Sequence, residues 1–197
     1  MIKIISIETF CNEFVGFVRI TDETGAQGWG QVSTYHSDIT CQVLHRQVAP
    51  WVLGFKFSDL DDLLDLVTER EHKFPGSYLR RAIGGFDTAV WDLSGKKAGK
   101  PVVALLGGNP GKLRVYASSM RRDITPVEEA ERLIALQQKF GYDAFKVRAG
   151  AEVGRNKDEW PGRTEEIIPV MRKYLGDTSE LLIDANSCYS PDRAIEV

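Results

Sequence analysis

The sequence predicts an α+β segment followed by alternating βα units of a parallel sheet. Three observations carry that reading. Two runs rich in Ile, Val and Phe and a glycine-rich third open the chain, separated by turn residues. Long stretches of helical periodicity come next. From about residue 112 the rhythm changes to strand, helix, strand, helix, the pattern of a parallel sheet with crossover helices. The expected division is therefore 1–111, a three-stranded meander plus helices, and 112–197, the first three βα units of the second domain.

Residues 2–9 and 14–21 read as strands bounded by polar residues. Asp22-Glu23-Thr24-Gly25 is a turn signal, and 26–32 reads as the returning strand. Ile39, Val43, Leu44 and Val48 form an apolar stripe at helical spacing, as do Leu60, Leu63, Leu64 and Val67. Ser58, with Asp61 three residues later, reads as the N-cap of the second stripe. A third helix is expected over 78–98, with Ile83, Phe86, Val90 and Leu93 on one face. Gly99 and Pro101 supply its stop.

In the second half, Leu113-Arg114-Val115-Tyr116-Ala117 reads as a strand. Thr125-Pro126-Val127-Glu128 opens a helix with a capping box and Pro at its first position, and Gly141 ends it. A strand over 143–148, a helix over 162–174, a strand over 180–184 and a helix opened by Ser190-Pro191-Asp192 complete the series. The Gly- and charge-rich stretch 149–161 is expected as a long loop at the carboxyl end of a strand, where α/β folds place their sites.

Composition excludes several function classes. The net charge of −3 gives no electrostatic case for nucleic acid as a partner. No apolar run is long enough to span a membrane, and the N-terminus lacks the apolar core of a signal peptide. Cys11, Cys41 and Cys188 are odd in number and widely spaced, which predicts neither a disulfide framework nor a zinc site. A cytoplasmic location is the expectation.

Two strand ends carry the chemistry. Leu181-Leu182-Ile183-Asp184-Ala185-Asn186 is an apolar run that ends in a carboxylate and an amide two residues apart. Upstream, Ala144-Phe145-Lys146-Val147-Arg148 ends in two cations with the same spacing. Side chains alternate faces along a strand, so each pair aims at one common space. Cations beside a carboxylate and an amide suggest a site for an anionic substrate next to a metal. Cys188 has no base near it in sequence and reads as a neighbouring thiol rather than a nucleophile.

Several motifs, taken in order, resemble one family. Gly28-Trp29-Gly30-Gln31 is similar to a Gly-Trp-Gly-Glu strand, with Gln in the last place. The helix Ala82-Ile83-Gly84-Gly85-Phe86-Asp87-Thr88-Ala89-Val90-Trp91-Asp92-Leu93 leads through Gly99-Lys100-Pro101 to Leu105-Leu106-Gly107-Gly108. Lys146-Val147-Arg148 stands in the place of a Lys-x-Lys pair, and Asp184-Ala185-Asn186 in the place of Asp-x-Asn. Together they resemble the mandelate racemase/muconate lactonizing enzyme group of the enolase superfamily.

That resemblance implies an α+β N-terminal capping domain followed by the first part of an α/β modified TIM barrel, incomplete in this chain. Such a barrel has eight strands, so the chain is expected to be the N-terminal half of a longer protein. The remaining acidic metal ligands and a His acid/base are then expected from later strands. The implied chemistry is abstraction of the proton alpha to a carboxylate, giving an enediolate stabilised by Mg²⁺. Asp184 is implied as a metal ligand, Lys146 as the grip on the substrate carboxylate, and Asn186 as a hydrogen-bond partner of substrate. Tyr35 and His36 are implied as substrate-binding residues in a loop of the capping domain, where the polar run Tyr35-His36-Ser37-Asp38 suits a polyol. A homo-oligomer acting on a small hydroxy-carboxylate is also implied.

Arg148 departs from the family pattern. A lysine there can act as a general base, whereas arginine stays charged and accepts no proton. A racemase needs an acid/base on each face of the carbon, and a dehydratase can run with one. Lys146 and Arg148 together therefore favour an acid-sugar dehydratase of the aldonate or aldarate class. A racemase, epimerase or cycloisomerase of the same group, and an inactive fragment, stand as the alternatives.

Overall fold

Residues 2–32 fold back and forth into an antiparallel sheet, because each apolar run meets a polar turn before it can extend further. The strands are β1 (Ile2–Cys11), β2 (Gly16–Asp22) and β3 (Gln27–Val32). A fourth, β4 (Lys56–Phe57), adds to the free edge of β1 through Ile2 and Lys3, giving the order β3-β2-β1-β4. No sequence signal marks β4, since two residues carry no periodicity. The computed structural model describes residues 1–152 and 154–197. Val153, within the loop expected over 149–161, lies outside the described residues. The chain divides into two compact units, Met1–Gly111 and Lys112–Val197.

In the first unit α4 (Ser77–Ala98) lies on the inner face of β2 and β3. Ile83, Phe86, Val90 and Leu93 are buried there as expected, packed with Val18, Ile20 and Val32. The strand and helix backbones touch at glycines. A Cβ on Gly28 would lie 2.1 Å from the Ala89 carbonyl oxygen, and one on Gly30 would lie 2.1 Å from that of Gly85. The Gly-x-Gly spacing of β3 thus follows from strand alternation: both inward positions must lack side chains.

The stripe that began at Ile39 is corrected. Ile39 is 44% exposed, while Thr40, Cys41, Leu44 and Val48 are buried. The helix is not continuous: α1 (Ser37–Val43) passes through a π-helical turn at Leu44–Val48 into α2 (Ala49–Val52). The Ala49 N–H reaches the Leu44 carbonyl, a step of five residues, and Pro50 next to it offers no N–H. Such a widened turn rotates the buried face. The N-cap of α3 (Leu60–Arg70) is Asp59, not Ser58; its side chain accepts from the Asp61 N–H. A short helix, α5 (Val102–Leu105), follows α4.

In the second unit β5 (Ala117–Ser118), β6 (Ala144–Arg148) and β7 (Glu180–Asp184) pair in parallel in that order, the first part of the barrel fold. Helices α6 (Pro126–Phe140) and α7 (Arg163–Leu175) pack together, with Leu133, Phe145, Val147, Ile167 and Met171 fully buried. Thr125 and Glu128 form the expected capping box, and α8 (Pro191–Glu196) ends the series. The strand expected over 113–117 shrinks to two residues. Ala117 pairs with Phe145, so β6 has no backbone to offer residues before 116. Leu113 is accordingly 86% exposed, and Arg114 is held by ion pairs to Asp143 and Glu180 instead. Among the described residues no helix is long and apolar enough to cross a membrane.

Two consequences can be measured. Gly30→Ala is expected to destabilise the fold by about 2–3 kcal/mol or more, because backbone rather than a flexible side chain blocks the added methyl; urea unfolding reads this directly. Asp22 is 1% exposed, and burial alone would push its carboxyl up. Hydrogen bonds from Lys97, from the Thr24 hydroxyl and from the Thr24 and Ala26 N–H groups instead hold it at about 2. Its folded pKa lies below the unfolded value, so its contribution is complete above that value and is lost as pH falls from about 4 to 2. Asp22→Asn should flatten the pH dependence of the unfolding midpoint across that window.

Candidate active site

Strand β6 aims Lys146 and Arg148 to one side, and the parallel register sets Arg148 directly opposite Asp184 on β7. The side chains meet. Lys146 Nζ donates to Asp184 Oδ2 at 3.0 Å, and Arg148 Nη1 donates to the same oxygen at 2.5 Å. Arg148 Nη1 also donates to Asn186 Oδ1 at 2.6 Å. All four residues expected at the two strand ends therefore converge.

Asn186 reaches the cluster by a route different from the one the alternation argument gave. The strand ends at Asp184, and Asn186 sits in a turn with φ of 46°, followed by Ser187 at 60°. Asn tolerates the left-handed region because its short polar side chain bonds locally. Asp184 Oδ1 accepts the Asn186 N–H at 3.0 Å and fixes that turn.

Arg148 is 5% exposed and every part of its guanidinium is engaged. Nε donates to the Ser119 carbonyl at 3.2 Å, and Nη2 lies 2.8 Å from Met120 Sδ. The Lys146 ammonium stands 5.5 Å from the centre of the Tyr116 ring. Tyr116, Ser119 and Met120 were missed in the sequence. Ser119 and Met120 follow the carboxyl end of β5, where the rule that sites gather at such ends could have found them; Tyr116 precedes that strand and lies outside the rule.

Two cations share one carboxylate, leaving one positive charge in excess. The hydrogen bond from Lys146 lowers the pKa of Asp184 most, against the raising effect of burial, with the Asn186 N–H and the Arg148 charge adding to it. Asp184 is thus held ionised, as a hard ligand must be. Its Oδ2 is occupied by both cations, whereas Oδ1 accepts only from Asn186. Among the described residues no group of three or more His, Cys, Asp or Glu could hold a metal. Asp184 accordingly fits Mg²⁺ as one oxygen ligand and not as a whole shell.

Tyr35 and His36 belong to the first unit. Both have positive φ, 61° and 54°, and His36 caps the start of α1. The Tyr35 ring is 65% exposed and meets the edge of Phe14. Cys188 is buried, and its thiol donates to the Lys157 carbonyl.

Comparison with known proteins bears on the family and the fold. Residues 3–107 match the sequence model of the mandelate racemase/muconate lactonizing enzyme N-terminal domain. A Roseobacter denitrificans protein, provisionally named a racemase, is 74% identical, with a TM-score of 0.95 over 98% of this chain and 53% of its own. A Paracoccus denitrificans protein of the mandelate racemase/muconate lactonizing group, solved with magnesium, is 29% identical with a TM-score of 0.89 over 100% of this chain and 55% of its own. Arabinonate dehydratase of Saccharolobus solfataricus is 28% identical over 91% of this chain and 47% of its own length. Other relatives are a D-galactonate dehydratase, a cycloisomerase and an o-succinylbenzoate synthase. The chain spans about half the length of the curated relatives it matches.

The shared carboxylate makes a prediction independent of turnover. Asp184→Asn keeps the shape but leaves Lys146 and Arg148 facing each other without their common anion. Measured without divalent metal, it should cost about 1–3 kcal/mol. Added sulfate should restore more stability to the variant than to the wild type.

Proposed function

The chain belongs to the mandelate racemase/muconate lactonizing enzyme family, and we propose that the whole protein is a Mg²⁺-dependent acid-sugar dehydratase. The observation that carries this reading is Arg148, locked against Asp184 and Asn186 at a position where it cannot accept a proton. Relatives that dehydrate arabinonate and D-galactonate support the substrate class.

In this reading Lys146 and Arg148 hold the substrate carboxylate by charge-assisted hydrogen bonds. Asn186 orients an adjacent hydroxyl, and Tyr35 and His36 of the first unit are further substrate-binding residues by family resemblance. Asp184 would hold Mg²⁺, which supplies Lewis-acid stabilisation of the charge developing on the substrate carboxylate. Lys146 and Arg148 face the same developing charge, already desolvated and fixed. The C2 proton passes to a base outside this cluster, a histidine by family resemblance. The C3 hydroxyl takes up a proton and leaves as water, and the enol product becomes a 2-keto-3-deoxy acid. One base suffices for that sequence, whereas inversion at C2 needs a proton acceptor on each face.

A second reading, racemisation or epimerisation, is favoured by the provisional racemase name of the 74% identical Roseobacter protein. Proton NMR in deuterated water separates the two, using the whole protein with a panel of aldonic and aldaric acids. A keto product without deuterium in recovered substrate is expected. Deuterium exchange with inversion at C2 and no keto product from any acid would reject dehydration. Asp184→Asn should abolish the Mg²⁺-dependent turnover. Arg148→Lys should retain part of it, with a loss of roughly 10²-fold, the scale of removing one preorganised electrostatic donor.

A further inference from the structure

Arg163 is a residue the fold carries at a cost. It is 1% exposed and opens α7, where a cation meets the positive end of the helix dipole. Its Nε and Nη2 have no hydrogen-bond partner among the described residues. Burial disfavours its charge most, the nearby Arg122 adds to that, and the carboxylates of Glu129, Asp158 and Glu159 offset it in part. Glu129 is itself engaged by both oxygens with Arg132. An apolar side chain stacked on Trp160, as Arg163 is at 5.2 Å, would meet none of these penalties.

What Arg163 does contribute is one hydrogen bond. Nη1 donates to the main-chain carbonyl of Arg148 at 2.8 Å. Two residues on, Arg122 Nε donates to the carbonyl of Gly150 at 3.2 Å, and its Nη2 is likewise buried without a partner among the described residues. Two guanidinium groups thus clamp the carbonyls of Arg148 and Gly150, two residues apart, where β6 runs out into its loop. The peptide that follows the Arg148 Cα is thereby held from both sides, by Arg163 on its carbonyl and by the Asp184 carbonyl, which accepts the Ala149 N–H at 3.1 Å.

We propose that Arg163 is a positioning residue: by clamping the Arg148 carbonyl it holds the Arg148 guanidinium on Asp184 and Asn186, ready for the substrate carboxylate. The substrate half of this statement rests on the reading given under Proposed function; the clamp itself does not. A structural role predicts loss of stability on removal. A positioning role predicts that stability is kept while Arg148 loosens.

The test uses the whole protein labelled with ¹⁵N at arginine. The Arg148 Nε–H signal is assigned by its loss in Arg148→Lys, and its exchange with water is followed. Arg163→Met should unfold at an unchanged or higher temperature, yet speed that exchange at least about 10-fold, the signature of a local opening. Arg163→Lys, which keeps a donor, should change it less than about 3-fold. A lower unfolding temperature with unchanged Arg148 exchange overturns the proposal. If the methionine variant does not fold, Arg163→Gln decides: slow exchange upholds the donor role and fast exchange overturns it. In turnover, Arg163→Met should raise KM for the acid sugar more than it lowers kcat. A wild type that makes no keto product would retire the dehydratase reading and leave the exchange result standing.

Discussion

The parallel register of β6 and β7 is the constraint on which the site depends. It sets Arg148 opposite Asp184, and only in that pairing do both cations reach one carboxylate oxygen. A slip of one residue would turn Asp184 to the other face of the sheet. The register is held by packing rather than by the charges. Phe145 and Val147 point into the core with Ile167 and Met171, so the alternate positions, Lys146 and Arg148, have only the opposite face to occupy. The apolar half of the strand pays for the polar half.

The two units show different uses of buried charge. In the first, Asp22 accepts from Thr24, from Ala26 and from Lys97, and it closes the turn between β2 and β3. Three of these hydrogen bonds are local and the fourth comes from Lys97 on α4, and together they compensate its burial. In the second, two cations share one carboxylate at the ends of β6 and β7. Arg148 has Asp184, which it shares with Lys146, and Arg163 keeps two nitrogens without partners among the described residues. Unpaired buried cations weaken a fold unless an anion arrives to complete them.

Legibility in the sequence followed periodicity. The meander, α4 and the α6 capping box were readable because each repeats a local rule several times over. The lost readings were those that a single distant partner decides. In α1 the polar Ser37 and Thr40 face inward with Cys41 while Ile39 faces out, an inversion that composition could not reveal. Residues 113–116 had the composition of a strand but no strand beside them. At the site, Lys146, Arg148 and Asp184 were visible as polar ends of apolar runs. Asn186 was found for the wrong reason, since a turn and not strand alternation places it. Arg163 was hidden altogether, because an arginine at a helix start looks like an exposed charge until the fold buries it.

Arginine at position 148 then divides the labour of the site in a way lysine would not. A lysine beside Asp184 could serve either as a cation or, once deprotonated, as a base. Arg148 forgoes the second role and gains geometry: its planar group engages Asp184, Asn186, Ser119 and Met120 at once. In the proposed dehydratase such a guanidinium would be oriented before substrate arrives, leaving little reorganisation for the moment when charge develops. The same rigidity makes it dependent on its backbone, since a fan of fixed donors tolerates less error than a single mobile ammonium. The clamp on its carbonyl is therefore the counterpart of the substitution itself: a site that trades a movable base for a fixed cation must hold that cation still.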